Sequence, residues 1–194
     1  MKNKARSLAA RRVAGVAVLF LAGVAAASAQ TPAPAAAPAA LAPKKVLLDS
    51  LELLVPTDFV KMPPETAKKT YAPDRMPNVA LMSPDAAVTI GITHTLSRVS
   101  AAEVPQSRAN AVREIKTTYP KAEWVKEASN PIGKGGGYWL DLKINQGTTQ
   151  GKRMMIVGTS LSGRLATIVL TAPLKDEAKW APVFEQIVKS IKPL

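Results

Sequence analysis

The chain has 194 residues, enough for one domain, and it carries 26 Lys and Arg against 14 Asp and Glu. It contains no cysteine, which excludes disulfide bonds, thiolate nucleophiles and cysteine-ligated metal sites. Hydrophobic residues make up 47% and charged residues 21% of the chain, as in ordinary globular proteins. Basic residues are adjacent only as pairs such as Lys44 and Lys45, so we predict no nucleic-acid binding.

Residues 1–29 have the three parts of a secretory signal peptide. A basic segment comes first, and it is followed by an apolar run over 13–27. This run is shorter than the roughly 20 residues that span a bilayer, which argues against the alternative of an uncleaved membrane anchor. The small residues Ala27 and Ala29 occupy the positions that signal peptidase recognises before its cleavage site. We therefore predict cleavage before Gln30, a periplasmic location in a Gram-negative cell, and no stable membrane insertion after cleavage.

Residues 30–43 are rich in proline and alanine. Proline has no amide hydrogen and blocks a continuous helix, so this low-complexity segment predicts a disordered spacer. A single α+β domain is predicted over 44–194. Removal of the leader would leave 21 basic and 14 acidic residues, a net charge of about +7, which suits a basic surface in an anionic envelope.

The first half of the domain predicts strands followed by one helix. An apolar segment over 45–55 predicts the first strand, and alternation over 86–95 predicts the clearest one. Ser100 and Glu103 have the spacing of a capping box, which predicts the start of a helix. Pro120 ends that helix.

The second half of the domain predicts three or four more strands and a final helix. The candidate strands cover 122–128, 138–145, 153–159 and 164–171. The last two strands have apolar residues on both of their faces. We therefore expect them to be central in the sheet and covered on both sides. The final helix covers 176–191 and has one apolar stripe. Hairpin-length connections between the strands indicate a largely antiparallel sheet sandwiched between helices.

Several short motifs in this order of elements resemble those of a known family. They are Pro56, Asp58 and Phe59, the strand AAVTIGITHT over 86–95, Tyr119 and Pro120 at a helix end, and Trp180, Phe184, Ile187, Val188, Ser190 and Ile191 in the last helix. Over 47–193 the chain resembles the PsbP-like, DcrB-like group. The resemblance implies an α/β/α sandwich and a non-catalytic accessory role. It implies no site residues, because the matching positions here are core positions.

His94 is the only histidine. It continues the inward face of its strand, so we interpret it as a hydrogen-bonded residue at the edge of the core. The alternative, a catalytic base or metal ligand, lacks neighbours at H-x-x-H or D-x-D spacing and lacks a G-x-S-x-G elbow. We therefore predict no catalytic residue, no metal ligand and no cofactor.

Three carboxylates suggest an alternative function for the protein. Glycosidases use two carboxyl groups that flank the scissile bond, and Glu123, Glu127 and Asp141 lie on two consecutive predicted strands. Acids on outward strand faces are ordinarily solvated, so we expect these three to be solvated. A small envelope hydrolase remains the alternative function that they define.

Lys152, Arg153 and Arg164 lie near the ends of two neighbouring predicted strands. Because cations that converge can receive an anionic ligand, these three define a candidate anion patch. The leading functional prediction is a non-catalytic periplasmic accessory or binding protein that engages another envelope protein. The alternatives are the small envelope hydrolase and an immunity or chaperone protein for a secreted effector.

Overall fold

A computed structural model describes residues 39–129, 132, 136–145 and 151–194. The predicted signal peptide and its cleavage site at Ala27, Ala29 and Gln30 lie outside the described residues, as does most of the predicted spacer. Export, cleavage and spacer disorder therefore stay predictions.

The described residues form strands and helices in the order expected for an α+β protein. The strands are β1 Leu41–Val46, β2 Leu51–Pro56, β3 Val60–Lys61, β4 Val79–Met82, β5 Thr89–Arg98, β6 Glu123–Ser129, β7 Gly137–Ile144, β8 Lys152–Leu161, β9 Arg164–Pro173 and β10 Lys192–Pro193. The α-helices are α1 Pro64–Thr70, α2 Val104–Thr118 and α3 Glu177–Ser190.

Seven of these strands form one antiparallel sheet in the order β3-β4-β5-β9-β8-β7-β6. Its central hairpin joins β8 to β9 through Ser162 and Gly163, whose φ angles are 51° and 73°. Two successive left-handed residues are what a tight type I′ hairpin needs to match the strand twist. Helix α2 packs on one face of this sheet. Helix α3 packs on the other face with a second sheet of order β1-β2-β10. The predicted fold class is confirmed.

The main core lies between the large sheet and α3. The stripe predicted on the last helix is buried there, with Phe184 and Ile187 at 0% exposure. Alternate residues of β9, among them Ile168 and Leu170, are also fully buried on this side, as period-2 side-chain alternation requires. Trp180 lies with its ring centroid 5.7 Å from that of Phe59, which ties the helix to the segment after β2.

The expectation that both central strands are covered on both faces is correct for β8 and wrong for β9. Helix α2 contacts β7 and β8, and it buries Met154 and Ile156 of β8. On β9 the residues Thr167, Val169 and Thr171, which face away from the main core, are only half-buried. This open part of the sheet forms the floor of a groove described below.

The predicted first strand over 45–55 is in fact a hairpin. Strands β1 and β2 pair antiparallel, with Val46 opposite Leu51. The ordered domain also starts earlier than residue 44, because Leu41 is in β1 and packs against the main core. Pro43 fits here because β1 is an edge strand, where proline is tolerated.

The β1–β2 turn has a strained backbone. Leu47, Leu48 and Asp49 have φ angles of 54°, 54° and 62°. The left-handed region costs about 1–2 kcal/mol for a residue that has a Cβ. The Leu48 side chain is fully exposed, so it recovers none of this cost through packing.

We expect Leu48→Gly to raise the free energy of unfolding by about 0.5–1 kcal/mol, because relief of the strain exceeds the extra entropy that glycine loses on folding. The corresponding rise in Tm is about 1–4 °C for a domain of this size. The matched control is Leu96→Gly, since Leu96 is 86% exposed but lies in a strand. That control should lower the Tm. A Tm that falls equally in both variants would contradict the left-handed turn.

Candidate functional site

An open groove of about 850 Å³ lies on the α2 face of the large sheet. Strands β5, β8 and β9 form its floor, α2 forms one wall, and the segment 70–77 after α1 forms the other wall. We call this the α2 groove and the segment 70–77 the strap. The volume is in the range of natural small-molecule sites, which hold roughly 300–1,000 Å³.

Threonines line the floor of the α2 groove. Thr89 and Thr93 alternate along β5, and Thr167 and Thr171 alternate along β9. The strand register places each β5 threonine opposite a β9 threonine. The Oγ1 atoms of Thr89 and Thr171 are 2.6 Å apart and hydrogen-bonded. The floor therefore presents hydroxyl groups and methyl groups side by side.

Two tyrosines pack against glycines of this floor. A Cβ atom on Gly158 would overlap the ring of Tyr138, and one on Gly91 would lie 3.0 Å from Oη of Tyr71. Because glycine has no Cβ, each ring can approach the strand backbone closely. Tyr138 is buried and Tyr71 is half-buried, so the two rings extend the floor at its two sides.

The phenol groups keep this floor uncharged. Burial raises the pKa of Tyr71, while a hydrogen bond with Thr89 acts in the opposite direction and lowers it. Burial likewise raises the pKa of Tyr138, against the lowering effect of a hydrogen bond with Thr167. Both tyrosines are thus neutral near pH 7, and they donate and accept hydrogen bonds without a formal charge.

An ion pair joins the two walls of the α2 groove. Nη2 of Arg75, in the strap, lies 2.8 Å from Oε1 of Glu114, in α2. Both side chains are about 60% exposed, and exposed pairs of this kind contribute little to stability. The pair connects the strap to α2, and separating the two walls by breaking it would cost little free energy.

Lys152 lines the α2 groove at the end where α2 terminates. Its Nζ atom is 5.7 Å from the ring centroid of Tyr119, which also lines the groove. Among the described residues no carboxylate forms a salt bridge with Lys152. A cation without a paired acid at the end of a groove is a natural contact for an anionic group.

The structure does not bring Lys152, Arg153 and Arg164 together as the predicted anion patch. Lys152 pairs with Pro173 at one end of the β8–β9 hairpin, whereas Arg164 pairs with Leu161 at the other end. At a rise of about 3.3 Å per residue the two ends are roughly 30 Å apart. Arg153 faces the α3 side of the sheet and is buried.

Arg153 is instead bound to two acids under the α3 layer. Its Nε and Nη2 atoms donate to the two carboxylate oxygens of Asp141 at 3.0 and 2.6 Å, and Nη1 donates to Glu177 at 2.6 Å. Burial lowers the pKa of Arg153, but the hydrogen bonds and charge of Asp141 and the charge of Glu177 offset this and raise it overall. The expectation that Asp141 is solvated is wrong, because its side chain is almost fully buried.

The other carboxylates of the hydrolase alternative are close to cations. Lys143 has its Nζ 3.7 Å from Oε1 of Glu123, and Arg108 has its Nε 4.0 Å from Oε1 of Glu127. Glu123 is linked to the Arg153 network because Nζ of Lys143 also lies 3.1 Å from Oε1 of Glu177. Nε2 of His94 lies 3.2 Å from the carbonyl oxygen of Leu161, as expected for a hydrogen-bonded residue at the edge of the core. Neither His94 nor any of these carboxylates lines the α2 groove.

The groove residues were missed because their chemistry is modest. Thr89, Gly91 and Thr93 alternate with the core residues Ile90 and Ile92. This alternation was the signal in the sequence that could have identified the groove floor. Threonine and glycine on the second face of a strand are equally compatible with a solvent-exposed surface. Whether a helix, a groove or water covers that face depends on contacts distant in sequence.

Two further features of the described residues bear on function. Over 39–129, 132, 136–145 and 151–194, no group of three or more His, Asp or Glu side chains is arranged to hold a metal ion. Within the same residues, no helix is both long enough and apolar enough to cross a membrane.

Comparison with known proteins yields structural likeness and no match in sequence. No protein-family model matches the chain, and no curated protein matches it. The solution structure of cyanobacterial PsbP (CyanoP) from Synechocystis sp. PCC 6803 aligns with a TM-score of 0.54 at 12% identity, over 85% of this chain and 99% of that one.

Two further solved structures align at lower TM-scores. LpqN, which is involved in cell envelope biogenesis of Mycobacterium tuberculosis, has a TM-score of 0.49 at 12% identity, over 79% of this chain and 90% of that one. A protein of unknown function from Pseudomonas aeruginosa has a TM-score of 0.45 at 13% identity, over 79% of this chain and 97% of that one. The likeness to CyanoP, together with the α/β/α layers described above, establishes that this chain has the PsbP-like fold.

Proposed function

We propose that this protein is an exported, non-catalytic accessory protein that binds a small molecule in the α2 groove. The observation on which this rests is the groove itself, which has neutral hydroxyls on its floor and apolar side chains such as Ile115 and Met154 around them. Pockets with apolar linings and a few polar groups are the usual form of small-molecule sites.

The bonding of the polar groups supports binding rather than catalysis. A catalytic hydroxyl is activated by a neighbouring base, but the hydroxyl of Thr89 bonds to Thr171 and Tyr71. Asp141, the carboxylate of the hydrolase alternative that is most shielded from water, has both oxygens bound to Arg153. These contacts favour a floor that recognises a ligand by hydrogen bonds and leaves it chemically unchanged.

Blocking the groove tests this proposal. Ala111 lines the groove from α2, whereas Ala109 lies on the exposed side of the same helix. Ala111→Trp should fill the groove, and Ala109→Trp adds the same side chain elsewhere. The protein is expressed as the full chain, purified from the cell envelope and examined by native mass spectrometry. We expect the wild type and Ala109→Trp to retain the same bound molecule, and Ala111→Trp to lose it.

Two outcomes of this measurement would overturn the proposal. Equal retention by Ala111→Trp would place the binding site elsewhere. Conversion of the retained molecule on incubation with wild-type protein, and not with Ala111→Trp, would identify an enzyme.

The predicted engagement of an envelope protein is a second part of the proposal. It rests on the predicted signal peptide and on the resemblance to a family of accessory proteins. Affinity capture from envelope extract at low and at high salt tests it. One protein retained at high salt would support a specific partner, whereas only salt-labile background would contradict one, because exposed charges are screened at high ionic strength.

A further inference from the structure

We infer that the ligand of the α2 groove is an amphipathic monoanion, an acyl-chain carboxylate whose head group lies at Lys152 and whose chain extends along β9 toward Leu165. This inference rests on the proposed function, because it names the ligand class of the same groove. Three observations lead to it, namely the cation without a paired acid at one end of the lining, the hydroxyl groups beside that cation and the apolar side chains along the floor.

Four charged residues line the groove, namely Asp74, Arg75, Glu114 and Lys152, and Lys152 is the one that has no salt bridge to a described residue of opposite charge. Arg75 lies 2.8 Å from Glu114 and 4.0 Å from Asp74, so the acids that line the groove are close to a cation of the strap. Lys152 lines the groove with the Tyr119 ring nearby and without a salt bridge to a described carboxylate. The lining as a whole has no net formal charge, but the cation that remains available to a ligand is Lys152, at one end of the groove, and it complements one negative charge.

Hydroxyl groups lie at the same end as Lys152. Met154, two residues after Lys152, pairs with Thr171, and Thr171 pairs with Thr89. The Tyr71 hydroxyl lies against Gly91, two residues along β5 from Thr89, and adds a third hydroxyl to this part of the floor. A carboxylate accepts several hydrogen bonds at once, and it binds best where an ammonium group and O–H donors converge.

Apolar side chains continue along the floor beyond this end. Ile156 and Val169 face each other across β8 and β9, and Leu165 lines the far end of the floor. The hydroxyl groups of Thr93, Thr167 and Tyr138 also lie in this part of the groove, so the floor presents apolar and hydroxyl groups side by side along its length. From Thr171 to Leu165 the strand extends about 20 Å. One unpaired cation at one end, followed by a long floor along which apolar side chains are available, matches a carboxylate with an extended chain.

Titration calorimetry with three probes tests this inference on the full-chain protein. Dodecanoate, used below the concentration at which it forms micelles, has both the head group and the chain. Dodecanol has the chain without the charge, and acetate has the charge without the chain. We expect dodecanoate to bind most tightly, dodecanol more weakly, and acetate without measurable heat, because burial of each methylene group contributes to affinity.

The variants separate the head-group contact from the chain contact. Lys152→Ala should weaken dodecanoate binding about tenfold, the loss typical of a charged hydrogen bond, and should leave dodecanol binding unchanged. Arg164→Ala is the matched control, because Arg164 is an exposed cation at the opposite end of the same hairpin. It should bind dodecanoate like the wild type. Both residues are exposed, so both variants should fold.

Equal dodecanoate binding by Lys152→Ala and the wild type would overturn the inference, as would unchanged dodecanoate binding by Ala111→Trp. These results are distinguishable from failure of the proposed function. If the wild type and Ala109→Trp retain a co-purified molecule that Ala111→Trp loses, while dodecanoate does not bind, the ligand class is wrong and the groove function stands. If Ala111→Trp retains that molecule, the groove function itself fails.

Discussion

Arg153→Met is expected to lower the free energy of unfolding by about 3–5 kcal/mol, the cost of leaving a buried charge without its partner. The side chain of Asp141 is 3% exposed, and both its oxygens accept hydrogen bonds from Arg153. The methionine would remove those donors and leave the carboxylate in a dry environment. Arg153 also binds Glu177 in the first turn of α3, so the attachment of that helix to the sheet is weakened as well.

Urea unfolding followed by circular dichroism measures this effect. The double variant with Arg153→Met and Asp141→Leu should recover most of the loss, because an apolar pair of similar size can replace a buried ion pair. Lys189→Ala is the control, since the Lys189–Glu185 pair is exposed and should change stability by less than about 0.5 kcal/mol. A single variant as stable as the control, or a double variant less stable than the single one, would contradict the buried pair.

Gly158→Ala is expected to lower the free energy of unfolding by about 1–3 kcal/mol, the usual cost of overpacking. The new Cβ would occupy the position of the Tyr138 ring. That ring is buried, and its hydroxyl bonds to Thr167, so it cannot move without losing contacts. The displaced ring would enter the α2 groove, and ligand binding should weaken together with stability.

A double-mutant cycle isolates this overlap. In a Tyr138→Ala background the ring is absent, and Gly158→Ala should then be neutral or stabilising, because alanine is otherwise preferred to glycine inside a strand by roughly 0.5–1 kcal/mol. Gly91→Ala is the milder comparison, since its Cβ would meet only the far end of Tyr71. An equal loss from Gly158→Ala in both backgrounds would show that the tyrosine ring is not the cause.

Local patterns in the sequence determined most of the elements. Ser100 and Glu103 form the predicted capping box, and helix α2 ends before Pro120. The stripe with Phe184 and Ile187 is the buried face of α3. These features were predictable because helix caps and side-chain periodicity depend on residues only a few positions apart. The hairpin between β1 and β2 was not, since its turn contains three left-handed residues that have side chains.

Tertiary structure decided the chemistry of the charged residues. Asp141 and Arg153 are 12 positions apart in sequence. Alternation along each strand does not determine which side of the sheet either residue faces. The β7–β8 register brings them together. Because the two side chains bind each other, Asp141 is not available for a hydrolase site and Arg153 is not part of an anion patch. Pairing between strands is a long-range choice, so the individual segments do not encode which charges meet.

The α2 groove was decided in the same way. Alternation in the sequence determined that Thr89 and Thr93 share a face of β5 that is opposite the main core. It did not determine that α2 would lie over β7 and β8 and leave β5 and β9 open. The position of a helix over a sheet depends on the summed packing of residues distant in sequence, and the groove exists because that packing covers only part of the face.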